Sequence, residues 1–173
     1  MPDHDHDHDH AGGSRSVPAG PSSCAEAATA KEAAYRIDYP LTAARNTRVV
    51  AFDDEAERII RSAALLDWGQ ARFFSVTDPG GVLAEVGAST VPLDEVMTDT
   101  NTVVMVTTSG ENATAVAAIG DLARERGIMT AGLVVAPGAL TSDALFHLRP
   151  HARILLVPAE EDDLIELLRA TRA

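Results

Sequence analysis

From about residue 46 the apolar positions follow two alternating periods. TRVVAFD (47–53) is a β-branched run of strand length, and DEAERIIRSAALL (54–66) sets Ala56, Ile59, Ile60, Ala63 and Ala64 at helical spacing. That pair predicts a strand followed by a helix. ARFFSVTD (71–78) predicts a second strand, broken by Pro79, Gly80 and Gly81. A short irregular stretch containing VGASTVPL leads to NTVVMVTT (101–108), the most apolar and β-branched run in the chain and the expected central buried strand. Residues 113–126 place Val116, Ile119, Leu122 and Ala123 on one helical face, Gly127 falls where a C-cap belongs, and IMTAGLVVAP follows as a strand. LTSDALFHLRP predicts a short helix ended by Pro150, ARILLVP a fifth strand, and EEDDLIELLRATRA a closing helix. Four carboxylates in that helix's first turn, with Arg169 and Arg172 in its last, suit the helix dipole. The expected fold is α/β: a Rossmann-like, doubly wound, mostly parallel five-stranded sheet with helices on both faces.

The first 45 residues differ in kind. Alternating Asp and His from Asp3 to His10 is followed by AGGSRSVPAGPSS, a flexible-linker composition, so residues 1–24 are expected to be a disordered tail in the absence of metal. Residues 25–45 read as an arm: a marginal helix in AEAATAKEAA, then YRIDYPL with Tyr35, Ile37 and Tyr39 on one side of an extended segment. Residues 46–173 are expected to form a single domain.

Charge narrows the partners. The chain carries 26 acidic and 14 basic residues for a net charge of -12. Residues 46–173 hold 19 and 10 of them, 19 minus 10 leaving about -9. Binding to nucleic acid or an anionic membrane, which needs Lys/Arg clusters, is disfavoured. No apolar run approaches the roughly 20 residues of a membrane span, and no signal sequence is evident, so a cytoplasmic address is expected. Cys24 is the only cysteine, which excludes an internal disulfide and a thiolate cluster within one chain.

Ligands of doubly wound sheets bind beyond the carboxyl ends of the strands, where the strand order reverses. The first strand-to-helix turn, AFDDEAER, has no glycine and sets Asp53, Asp54 and Glu55 where a dinucleotide fold needs GxGxxG, so neither NAD nor GTP is expected. Asp53 reads as the N-cap of the following helix. The turn after the central strand, TTSGENAT (107–114), offers hydroxyls, one glycine and helix-terminal amides. Thr107, Thr108, Ser109, Gly110 and Asn112 are therefore the candidate ligand-binding residues. Thr108 and Glu111 also match a T-x-x-E capping box, which leaves Ser109 and Asn112 spare for a ligand.

Residues 102–137, TVVMVTTSGENATAVAAIGDLARERGIMTAGLVVAP, resemble the part of the FtsZ/tubulin nucleotide domain in which a strand passes through a phosphate-binding glycine loop into a helix and on to the next strand. GIMTAGLVV (127–135) and LRPHARILLVP (148–158) are similar to the segments that follow in that family. The loop departs from the family: Ser109-Gly110-Glu111-Asn112-Ala113-Thr114 keeps one glycine and adds a carboxylate, so the resemblance implies the fold and not GTP binding, assembly or hydrolysis. Ser109-Gly110-Glu111-Asn112 and ARERG (123–127) also resemble the sugar isomerase (SIS) domain, although the helix is one residue longer than in that family. That resemblance implies a phosphosugar held by Thr107, Thr108 and Ser109.

His4, His6, His8 and His10 lie two apart, on one side of an extended chain, so their imidazoles can close on Ni²⁺ or Zn²⁺. An affinity tag with a Gly/Ser linker shares this pattern. His147 and His151, flanking Pro150, read as surface or capping residues before a metal pair. No pairing of nucleophile with base is evident. The expected function is a non-enzymatic accessory or regulatory protein, binding a small anionic ligand or a partner protein at the turn after the central strand, with metal capture by the tail as a further role. The alternative is an SIS-like phosphosugar enzyme or sensor. Self-association into a homo-oligomer is compatible with either.

Overall fold

The computed structural model describes residues 44–78, 81–135 and 142–173. The tail with His4, His6, His8 and His10, and the arm up to residue 43, lie outside the described residues.

β1 (Thr47–Ala51) and β5 (Thr102–Thr107) are buried at every position, as their unbroken β-branched runs require for strands covered on both faces. They pair in parallel with Val49 opposite Val104 and Val50 opposite Met105. β2 (Arg72–Asp78) joins β1 on one side; β6 (Met129–Val135) and then β7 (Ile154–Ala159) extend the sheet beyond β5, all in parallel. Among the described residues the strand order is β4-β3-β2-β1-β5-β6-β7.

Among the described residues the sheet therefore has seven strands where five were expected. The two additional ones, β3 (Val82–Glu85) and β4 (Thr90–Pro92), run antiparallel on the β2 edge, and the supposedly irregular VGASTVPL supplies β4 and the start of a one-turn helix, α2 (Leu93–Val96). These strands are short and half exposed, so they carry no apolar run that periodicity could register. The hairpin is held against β2 by Arg72, whose guanidinium donates to both Glu85 carboxylate oxygens at 2.6 Å.

Helices cover both faces. Ile59 and Ile60 of α1 (Asp54–Ala64) and Leu164 and Leu168 of α5 (Glu161–Thr171) pack on Val49, Val104, Val106 and Leu133. On the other face Val116 and Ile119 of α3 (Ala113–Glu125), Leu148 of α4 (Ser142–Leu148) and Val96 of α2 pack on Val50, Phe74, Val103, Met105 and Val134. Each such side chain, fully buried, contributes about 1.5–3 kcal/mol, so these two layers hold the strand ends in register.

The ends of the helices follow their sequences. Asp53 caps α1, Glu160 and Asp163 form a reciprocal capping box on α5, and Gly127 takes φ 68° just past α3. No helix among the described residues is long and apolar enough to cross a membrane.

Candidate functional site

The chain runs from β1 to β2 on one side and returns to β5 on the other, so the carboxyl ends of β1 and β5 flank the reversal of strand order. Phe52 continues the β1 ladder, its amide donating to the Val106 carbonyl at 3.0 Å, and this delivers Asp53 to the start of the β5–α3 turn. Asp53 is extended, at φ -146° and ψ 167°, which turns its carboxylate toward that turn and toward the first amides of α1.

The carboxylate accepts five hydrogen bonds. Oδ1 takes the Ala56 amide at 2.8 Å and the Thr108 hydroxyl at 2.8 Å. Oδ2 takes the Thr107 hydroxyl at 2.7 Å, the Thr108 amide at 2.7 Å and the Ser109 amide at 3.2 Å. Behind these, the Gly110 amide donates to the Thr107 hydroxyl oxygen at 3.0 Å, so a fully buried threonine relays the turn's polarity onto Asp53. Burial by itself pushes the Asp53 carboxyl upward. The bonds from the Thr107 hydroxyl, the Thr108 amide, the Ala56 amide and the Thr108 hydroxyl outweigh it and hold the group below the ordinary aspartate range.

This geometry corrects the capping-box expectation. Thr108 does not cap α3 with Glu111; its hydroxyl serves Asp53, and the helix begins only at Ala113 with Asn112 as N-cap. The reason lies in two left-handed residues, Gly110 at φ 85° and Asn112 at φ 57°, which interrupt any helix started at Ser109. Asn112 is likewise not spare. Its side-chain amide donates to the Phe52 carbonyl at 2.7 Å, tying the turn to the end of β1, while its own carbonyl accepts the Ala115 and Val116 amides. Asn112→Ala is expected to cost about 2 kcal/mol, from one hydrogen bond and the left-handed backbone, and Asn112→Gly about half of that, since glycine adopts φ near 57° freely. Urea unfolding of the two variants measures the difference.

Thr107, Thr108, Ser109, Gly110 and Asn112 are thus brought together around a sixth residue that their own local pattern does not contain. Asp53 lies more than fifty positions earlier and was legible only as a helix cap. The signal that identifies it is positional: an acidic residue ending one of the two strands at the reversal, opposite a turn rich in donors. The two described histidines lie elsewhere. His147 meets the Phe146 ring edge-on at 5.5 Å, and His151 packs over Gly120 of α3. No group of three or more His, Cys, Asp or Glu among the described residues is placed to hold a metal ion.

No family model, curated protein or solved structure matches this chain.

Proposed function

We propose that the protein is a non-enzymatic accessory or regulatory module whose β5–α3 turn is an anion cradle, with the Asp53 carboxylate as its resident occupant. A small anionic ligand, or an acidic group of a partner protein, binds by taking the place of that carboxylate. One observation carries this reading: two amides and two hydroxyls of the turn converge on the two oxygens of one carboxylate. Donors so arranged suit carboxylate and phosphate oxygens alike.

The same bonds argue against catalysis at the turn. A carboxylate held below its ordinary range is a weak general base, so the Thr107 and Thr108 hydroxyls that donate to it are not activated as nucleophiles.

The test is thermal denaturation of the intact protein with inorganic phosphate, sugar phosphates, GTP and NAD. Phosphate is expected to raise the melting temperature saturably, and GTP and NAD to leave it unchanged, because Asp54 and Glu55 stand where a pyrophosphate would lie. The hydroxyl-rich composition of the turn also suits an SIS-like phosphosugar enzyme or sensor. Stabilisation by sugar phosphates far beyond that by inorganic phosphate would favour that second reading, and no response to any anion would contradict both.

A further inference from the structure

At the opposite end of the sheet, the starts of β6 and β7 and the last turns of α3 line a half-open cavity of about 130 Å³. Its walls include Gly120, Arg124, Thr130, His151 and Arg153. That volume is several times what one water molecule needs and is enough for a small oxyanion.

The His151 ring lies directly on the bare backbone of α3. A Cβ at Gly120 would come within 2.4 Å of His151 Cβ, Cγ and Nδ1, so the helix accommodates the ring only because position 120 has no side chain. A glycine inside a helix costs about 1 kcal/mol relative to alanine, and here the seat of the imidazole is what it provides. The side chain is only 15% exposed, and its Nδ1 is buried without a hydrogen-bond partner. The nearest acidic atom, Asp121 Oδ1, stands 3.7 Å away and is itself engaged by the Arg124 guanidinium.

Arg153 is fixed at the rim by its backbone. Its amide donates to the Thr130 carbonyl at 3.1 Å and the Thr130 hydroxyl at 3.2 Å, while its guanidinium makes no ion pair among the described residues. The charges at the cavity are therefore Arg124 and Arg153 against Asp121. An excess of positive charge here, on a protein of net charge -12, makes this a place where a small anion is attracted and not repelled.

We infer that this cavity is a binding site for a phosphate-type oxyanion, with the Arg153 and Arg124 guanidinium groups as its donors and the His151 ring as one of its walls. The inference is independent of the Asp53 cradle, which lies at the other ends of the strands. Guanidinium forks match phosphate oxygens in geometry.

The test is titration of the full chain with inorganic phosphate at constant ionic strength, followed by NMR of the imidazole nitrogens and backbone amides, with chloride as control. The His151 ring and the Thr130 and Arg153 amides are expected to shift saturably, with a dissociation constant of about 1 mM, and Arg153→Gln to weaken binding about tenfold. Gly120→Ala, which displaces the ring, is expected to abolish the His151 response; should it unfold the chain, His151→Ala is the substitute, read at Thr130 and Arg153. Absence of saturable shifts at these residues, or shifts unchanged in Arg153→Gln, would overturn the site. Shifts confined to Thr108 and Ser109 would overturn it also, while supporting the cradle at the other end.

Discussion

Asp53→Ala is expected to lower stability by about 3 kcal/mol, a fall of roughly 10–15 °C in melting temperature for a domain of this size. The loss combines an N-cap, worth about 1 kcal/mol, with a charged acceptor whose removal takes the acceptor away from the proton of the buried Thr107 hydroxyl and from the Thr108 amide. Asp54→Ala, one residue on and exposed, should cost no more than about 0.5 kcal/mol.

The isostere separates the two roles of Asp53. Asparagine caps helices as well as aspartate does, so if Asp53 were only a cap, Asp53→Asn would be nearly neutral. In the cradle an amide must set its NH₂ against donors on at least one side, and a cost of about 2 kcal/mol is expected.

The pH dependence has a definite sign. The folded carboxyl titrates below its unfolded value of about 4, so its contribution is complete above that value and is lost as the pH falls through the lower, folded value. Urea midpoints measured from about pH 6 downward should therefore fall more steeply for the wild type than for Asp53→Ala once the pH drops below about 4.

Gly110→Ala is the second large effect. At φ 85° any L side chain is strained, at a cost of about 1–2 kcal/mol. In addition a Cβ there would lie 2.4 Å from the Ala144 amide nitrogen and 2.7 Å from its Cα. Those atoms are backbone in the first turn of α4, so relief requires moving the helix and pulling Ala144 and Leu148 out of a layer in which both are fully buried. A total loss above about 3 kcal/mol is expected. Gly127→Ala is the control, because Gly127 has a similar φ of 68° with nothing within 4 Å, and its cost should stay near 1 kcal/mol. Equal losses at the two positions would show that the turn does not abut α4 as described.

These two residues also mark what the sequence could and could not disclose. The central strands, the apolar stripe of α1 at Ala56, Ile59, Ile60 and Ala63, the start of α3 at Ala113 and the glycine that ends it are all encoded within a dozen neighbouring positions. Periodicity and capping chemistry suffice for such features. The β3–β4 hairpin escaped because strands of four and three residues at an edge bury too little to form a pattern. The turn itself is legible between β5 and α3, but its hydrogen bonding is not the one its local pattern implies. Thr108-Ser109-Gly110-Glu111 matches a local capping box, whereas the partner that claims Thr108 comes from the end of β1, and the reason for glycine at position 110 is a helix that begins more than thirty residues later. Neither partner can be read until the topology places β1 beside β5 and α4 against the turn.

The occupant of the cradle is open to direct replacement. In Asp53→Ala the donors of Thr107, Thr108 and Ser109 remain while their carboxylate is gone, so formate, the smallest free carboxylate, should bind in its place. At ten times its dissociation constant for the variant formate should return about 1.4 kcal/mol of the lost stability, saturably, with a smaller gain in the wild type, where Asp53 competes for the donors, and none from chloride at equal ionic strength. Equal responses to formate and chloride, or an equal response of wild type and variant, would contradict the claim that the β5–α3 turn is an anion cradle filled by Asp53.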